Sequence, residues 1–294
     1  MRVVWPAAVF GGAVVSSCAL AALAACAGAP ARGPAEEKVT FVQGGAGRLR
    51  VSDGGGGEAT PIVFVHGLGS DLEVWREQLQ HFRPSRRAVA YDQRGNGQSD
   101  PAQDGNYSIQ AFADDLDQVV RQLKIRRFVL VGHSMAGAVL SAYAGKRPDK
   151  LAALVYVDAV GNMTGLPRDE VAKVEARESA PGYGKKEMLA DYGKMVGPQA
   201  KPSTRERVLE SASHLSPRTF AAVRHSLVEY DPRPDLAHYT GPKIAIEVQG
   251  NDSPIMASNL PGMARRTVPN VSHWLMLDDP AALDRELDAF LAAY

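Results

Sequence analysis

The sequence predicts an α/β fold with a mostly parallel central sheet and helices on both faces. Short apolar runs that suit buried strands alternate with amphipathic stretches that suit helices. One apolar run, Phe128–Val131, leads through a tight turn around Ser134 into a stretch that suits a helix. Residues 161–240 interrupt the alternation with 23 Asp, Glu, Lys and Arg residues and no clean strand, which predicts an inserted helical cap.

Composition places the chain among ordinary globular proteins and excludes some functions. It has 294 residues, of which 45% are hydrophobic, enough for one large core. The 33 basic and 33 acidic residues balance, whereas a nucleic-acid-binding protein would show a basic stripe. The scattered histidines lack metal-ligand spacing such as H-E-x-x-H. We therefore expect no metal, no cofactor and no nucleic-acid partner.

The N-terminus predicts export. Residues 1–25 have the features of a signal peptide, since Arg2 is their only charge and residues 7–25 are mostly small and apolar. Leu23-Ala24-Ala25-Cys26 resembles the lipobox of bacterial lipoproteins, which implies a lipid on Cys26 and attachment to the cell envelope. Plain secretion into the periplasm or medium and a retained anchor remain open. Residues 26–38, rich in Pro, Gly and Ala, predict a flexible tether.

The core elements follow in chain order. Apolar runs and alternation predict strands at residues 39–43, 48–52, 62–65, 88–91, 128–131, 154–157 and 243–248. Helices are predicted at residues 71–82, at 108–124 with Ser108 as its cap, after Gly137, and at 281–293. Within the cap, Ser203-x-x-Glu206 predicts a capping box and Ser216-Pro217 predicts a helix start.

The strand, tight turn and helix around Ser134 form the pattern of a nucleophile elbow. A serine hydroxyl is a poor nucleophile at neutral pH, so it needs a neighbouring base and donors for the oxyanion. Residues that flank such an elbow must be small because strand and helix approach closely, and Gly132 meets this need. These features predict nucleophilic catalysis by Ser134.

Four motifs in order resemble the α/β-hydrolase family, of the esterase, lipase and haloperoxidase type. They are His66–Gly69, Asp92–Ser99, Gly132–Gly137 and a late pair of Asp and His. The resemblance covers residues 39–294 and implies a core of residues 39–160 and 241–294 with the cap at 161–240. It also implies that the second motif is structural, with Arg94 tying loops together. Ala136 stands where the family usually has glycine.

The resemblance implies a catalytic site built around Ser134. His273 would be the base, and the backbone N–H groups of Leu68 and Met135 would stabilise the oxyanion. The acid would be Asp252, although it stands one position earlier in its loop than is usual. Asp158 is the alternative acid, because some relatives carry it after the preceding strand. Leu68, Met135 and Trp274 are expected to line an apolar part of the substrate pocket.

The implied function is a serine hydrolase that cleaves carboxylic esters of small or medium uncharged substrates through an acyl-enzyme intermediate. Serine as nucleophile argues against haloalkane dehalogenase and epoxide hydrolase chemistry, which use a carboxylate in this fold. Two enzyme alternatives remain, a cofactor-free perhydrolase or haloperoxidase-like activity and a hydrolase of carbon–carbon bonds. An alternative of another class is a non-catalytic surface lipoprotein that binds a small ligand.

Overall fold

The computed structural model describes residues 36–293, and these contain an eight-stranded sheet. The strand order is β1-β2-β4-β3-β5-β6-β7-β8. Only the β1–β2 and β2–β4 pairs are antiparallel, so the predicted mostly parallel sheet is confirmed. The strands are β1 (Lys38–Gln43), β2 (Arg48–Gly54), β3 (Ile62–Val65), β4 (Ala88–Tyr91), β5 (Phe128–His133), β6 (Leu151–Val157), β7 (Lys243–Val248) and β8 (Ala264–Val268).

Helices follow the strands as the alternation predicts. They are α1 (Arg76–Phe82), α2 (Ile109–Gln122), α3 (Ala136–Lys146), α4 (Arg168–Glu178), α5 (Lys185–Val196), α6 (Pro202–Ser213), α7 (Pro217–Glu229), α8 (Arg233–Leu236), α9 (Leu275–Asp278) and α10 (Pro280–Leu291). Three short 3-10 turns also occur among these residues, and the first of them, Leu72–Trp75, directly precedes α1. Among the helices of residues 36–293, none has the length and apolar character needed to cross a bilayer.

Two apolar cores lie on the two faces of the sheet because alternate strand side chains point in opposite directions. Val63 and Val65 of β3 pack with side chains of α2 and α3. Ile62 and Phe64 of the same strand pack with side chains of α1 and α10, and the ring of Phe64 lies 5.0 Å from that of Trp75. Burial on both faces explains why the central strands are apolar throughout.

The cap prediction agrees with the structure, since residues 161–240, all of them described, contain α4–α8 and no strand. Ser108 and Ser216 cap α2 and α7 as predicted, by accepting hydrogen bonds from the amides of Ala111 and Thr219. The capping box at Ser203 is wrong, because α6 already begins at Pro202 and Ser203 lies in its first turn.

Strand β8 was not predicted from the sequence. Its first four residues, Ala264–Thr267, are exposed or half-buried, and two of them are arginines, so it shows neither an apolar run nor a buried alternation. It is an edge strand, for which charged residues are typical. The predicted signal peptide, Cys26 and nearly all of the tether lie outside the described residues.

Candidate active site

Ser134 lies in the turn between β5 and α3 with a φ of +56°. A positive φ is strained for a residue with a side chain and persists only where neighbouring contacts hold it. The Ser134 amide donates to the carbonyl of Val157 at 3.3 Å, and its own carbonyl accepts from the amides of Gly137 at 3.0 Å and Val160 at 2.9 Å. These bonds hold the serine at the carboxyl edge of the sheet, where the elbow pattern places a nucleophile.

Close packing around the elbow explains its small residues. An ideal Cβ on Gly137 would lie 2.2 Å from the carbonyl oxygen of Val160, so only glycine fits there. An ideal Cβ on Gly132 would lie 2.4 Å from Leu140 Cδ1 and 3.0 Å from the Cβ of Ala136. The fully buried methyl of Ala136 is accommodated because Gly132 opposite has no side chain.

His273 follows β8, and its ring is held by Asp158 at the end of β6. The Nδ1 atom of His273 lies 2.5 Å from Asp158 Oδ2. The other carboxylate oxygen accepts hydrogen bonds from the amide of Val248 at 3.1 Å and from Asn251 Nδ2 at 3.2 Å. Because Nδ1 is engaged, Nε2 is the nitrogen of His273 that can take a proton from a nucleophile.

Asp158 is suited to hold a histidine because it is both buried and ionised. Burial alone favours the neutral acid and would raise the pKa of Asp158. The hydrogen bond and the charge of His273, together with the hydrogen bond from the Val248 amide, have the larger combined effect and lower this pKa. Its side chain is 2% exposed, so water does not weaken these contacts. The residue also has a φ of +39°, a second strained position beside the strained Ser134.

The structure corrects the prediction that Asp252 is the acid. The side chain of Asp252 is 78% exposed and pairs with Arg265 Nη1 at 3.0 Å. The loop after β7 turns so that the side chain of Asn251 reaches Asp158, while Asp252 points away. The alternative acid, Asp158, is therefore the carboxylate that the fold brings to His273.

The turn after β3 runs directly against the serine. An ideal Cβ on Gly67 would lie 2.9 Å from Ser134 Cβ, so the next residue, Leu68, lies close to Ser134. Within residues 36–293, the amides of Leu68 and Met135 donate no hydrogen bond to the protein. Two free amides next to a serine could hold an oxyanion, and that role stays a prediction.

This turn is braced by the second sequence motif. The buried ring of His66 has Nδ1 2.6 Å from the carbonyl of Gly67, and its Nε2 accepts from the amide of Gln93 at 2.9 Å. Burial lowers the pKa of His66, in keeping with the neutral ring that this pattern requires. Asn96 Oδ1 accepts from the Gly69 amide at 2.9 Å. The loop that carries Leu68 is thus held on both sides.

Arg94 has the structural role that the family resemblance implies. Its Nε lies 2.6 Å from Asp115 Oδ2, and both side chains are less than 5% exposed. Its Nη1 donates to the carbonyl of Asn106 at 2.8 Å and its Nη2 to the carbonyl of Ala111 at 3.0 Å. Arg94 therefore ties its loop to the start of α2.

A cavity of about 760 Å³ lies above Ser134 and His273. Leu68, Met135 and Trp274 line it, and their role in binding substrate stays a prediction. The cap supplies further apolar lining from Val171, Val174, Phe220, Leu227 and Val228.

One ion pair in the cavity lining was not predicted from the sequence. Arg224 Nε lies 3.1 Å from a carboxylate oxygen of Glu178. In the sequence, Glu178 follows Val174 by four residues and Arg224 follows Phe220 by four, a spacing that predicts an inward-facing side chain but not an ion pair.

Comparisons with known proteins agree with the fold of residues 36–293. Residues 60–214 match the family model described as alpha/beta hydrolase fold. The chain is 37% identical over 106 residues to the non-heme chloroperoxidase CPO-A1 of Kitasatospora aureofaciens, and the match covers 35% of this chain and 38% of that protein. The chain thus spans little more than a third of the length of this relative.

Two further proteins are similar over most of the chain. The sn-1-specific diacylglycerol lipase ABHD11 of Mus musculus is 28% identical over 262 residues, covering 80% of this chain and 83% of the lipase. A thermophilic esterase from Thermogutta terrifontis has a TM-score of 0.72 at 20% identity, covering 88% of this chain and 99% of the esterase. At that identity the esterase is evidence for the fold alone.

Proposed function

Because the chain belongs to the α/β-hydrolase fold family, we propose that it is a serine hydrolase that cleaves carboxylic esters through an acyl-enzyme intermediate. The observation that carries the proposal is the 2.5 Å contact of His273 with Asp158, together with a strained Ser134 that lines the same cavity as both residues. A serine, a histidine and a buried carboxylate are the three groups that acyl transfer requires.

The reaction begins when Ser134 Oγ attacks the ester carbonyl carbon and His273 Nε2 takes the hydroxyl proton. The amides of Leu68 and Met135 donate to the oxyanion, and Asp158 stabilises the imidazolium. The tetrahedral intermediate then expels the alcohol, which receives the proton from His273. Water attacks the acyl-enzyme in the same way and releases the carboxylic acid, which restores Ser134.

The cavity favours a small or medium uncharged ester. Its volume of about 760 Å³ suits a molecule of that size, and the cap contributes mainly apolar side chains to its lining. Each buried methylene of a substrate contributes roughly 0.8 kcal/mol. We therefore expect kcat/KM for p-nitrophenyl esters to rise with acyl length until the cavity is full and then to fall.

A fluorophosphonate probe tests the nucleophile. We expect one probe per wild-type molecule on Ser134, and no labelling of Ser134→Ala. The variant should also lose ester hydrolysis by about 10³-fold or more, since the serine and histidine act as a unit. Ser179→Ala, at an exposed position of the cap, is the matched control and should behave as wild type. Hydrolysis retained by Ser134→Ala would overturn the proposal.

Peracid formation is a second candidate, favoured by 34% identity over 127 residues with the bifunctional esterase/perhydrolase DCH of Acinetobacter calcoaceticus. Hydrogen peroxide would replace water in attacking the acyl-enzyme, so that the acyl group leaves as a peracid and Ser134 is restored. Incubation with acetate ester and hydrogen peroxide, followed by peracid titration, measures this activity. A peracid yield no greater than in the Ser134→Ala reaction would exclude it.

The location of the protein is a separate proposal that rests on the sequence of residues 1–26. The chain is exported and attached to the bacterial cell envelope by a lipid on Cys26. Expression of the full chain should place it in the membrane fraction, from which Cys26→Ser releases it. Cys18→Ser is the control, because apolar sequence continues after Cys18. Equal release by both variants or by neither would contradict the proposal.

A further inference from the structure

His133, the residue before Ser134, makes a direct contact with the backbone of the base. It ends β5 with its side chain buried, and its Nε2 lies 2.9 Å from the backbone carbonyl oxygen of His273. A carbonyl oxygen can only accept a hydrogen bond, so Nε2 carries the proton and donates. This bond joins the strand that carries the nucleophile to the loop that carries the base.

The loop between β8 and α9 has no regular structure, so side-chain contacts must fix His273. Asp158 holds its ring at Nδ1, and His133 holds its carbonyl. The rings of His133 and His273 lie 4.5 Å apart, and Trp274 packs edge-on against His273 at 4.9 Å. Of these contacts, only the one from His133 ties the base to the nucleophile's own strand.

The surroundings of the other ring nitrogen, Nδ1, favour the neutral form of His133. Within the described residues, Nδ1 has no hydrogen-bond partner, and an ideal Cβ on Gly67 would lie 3.0 Å from it. Burial and the neighbouring His273 hold the pKa of His133 well below its ordinary value, so the ring is neutral. A neutral ring with its proton on Nε2 places no second positive charge beside His273 when the base is protonated.

We propose that His133 is a positioning residue, whose Nε2–H group holds the His273 carbonyl and thereby sets the alignment of the base with Ser134. The inference rests on the proposed function, in which His273 takes the serine proton. His133 also lines the cavity, but the residue is only 1% exposed, so the main effect of losing this bond falls on alignment, which contributes to rate rather than to substrate binding. The expected signature is thus a loss in kcat with little change in KM.

Three variants of the full chain separate the effect of the His133 N–H donor from the effect of the shape of its ring. His133→Phe keeps a ring without an N–H group, and we expect kcat to fall about tenfold or more with KM within about twofold. His133→Gln carries an amide N–H at about the reach of Nε2 and should recover most of the lost kcat. His133→Asn carries the same amide on a side chain one carbon shorter and should fail to recover it.

The rate of fluorophosphonate labelling should follow kcat in all three variants, while the final labelled fraction stays the same. Equal losses in the Gln and Asn variants, a change in KM alone, or full activity of His133→Phe would overturn the inference. Thermal unfolding of each variant identifies any that fails to fold. If His133→Phe does not fold, the comparison of kcat between His133→Gln and His133→Asn tests the inference. Failure of the proposed function would differ, since wild-type protein itself would not be labelled.

Discussion

Asp158 Oδ2 lies 2.5 Å from His273 Nδ1, in a contact that joins the end of β6 to the loop after β8. The carboxylate is 2% exposed and also accepts hydrogen bonds from Val248 and Asn251. Asp252, four positions beyond the end of β7, is 78% exposed and faces Arg265. The two aspartates are thus a natural pair for testing which carboxylate supports His273.

Asp158→Asn should lower kcat by about 10³–10⁴-fold, because an uncharged amide neither fixes the tautomer of His273 nor stabilises its cation. Asp252→Asn removes an exposed ion pair and should leave kcat within about twofold of wild type. Steady-state hydrolysis of a p-nitrophenyl ester measures both. A large loss in Asp252→Asn with none in Asp158→Asn would contradict the assignment.

The elbow and the central strands were predictable from the sequence because their signals are local. Strands β3 and β4 begin and end where the apolar runs do, and Gly132 and Gly137 mark the close contacts around Ser134. A strand buried on both faces must be apolar throughout, so its pattern does not depend on its neighbours.

The acid could not be chosen from the sequence because the two candidates look alike locally. Asp158 and Asp252 each follow a buried strand of the sheet. The difference lies in the direction of the loop after β7, where Asn251 turns inward and Asp252 turns outward towards Arg265. Such a choice depends on tertiary contacts that span about 100 residues of sequence, as the 115-residue separation of Asp158 and His273 illustrates.

Gly137→Ala tests the packing of the elbow. The new methyl would lie 2.2 Å from the Val160 carbonyl, so the elbow must shift, and we expect a loss of about 1–3 kcal/mol in the free energy of unfolding and a large loss of kcat. Ala136→Gly is the matched control and should cost about 1 kcal/mol through helix propensity while kcat is retained. Urea unfolding and ester hydrolysis measure the two effects. Wild-type kcat in Gly137→Ala would contradict this account of the turn.

Arg94→Met tests whether the second motif is structural. The change leaves the Asp115 carboxylate buried without its partner, so the free energy of unfolding should fall by about 3–5 kcal/mol. The double variant Arg94→Met with Asp115→Leu removes both charges and should recover part of this loss. KM of the folded protein should not change, because Arg94 does not line the cavity. A raised KM with unchanged stability would instead indicate contact with substrate.

The buried histidines predict a loss of stability in mild acid. Burial lowers the folded-state pKa of His66 and of His133 below that of the unfolded chain, near 6.5. Below pH about 6.5 the unfolded state therefore binds more protons, and the free energy of unfolding falls by up to about 1.4 kcal/mol per pH unit for each histidine. The stability is fully present above this pH. Asp158, whose pKa is lowered, adds a loss only below about pH 4.

Urea unfolding between pH 7.5 and 5 measures how the free energy of unfolding changes with pH. Variants then show how much of this slope comes from each histidine. His133→Gln removes one of the two groups, so about half of the slope should disappear. His238→Gln changes an exposed histidine and should leave the slope as in wild type. An unchanged slope in His133→Gln would mean that His133 takes up a proton in the folded protein. That result would also conflict with a neutral ring at His133, since a charged His133 beside the base would oppose protonation of His273 during catalysis.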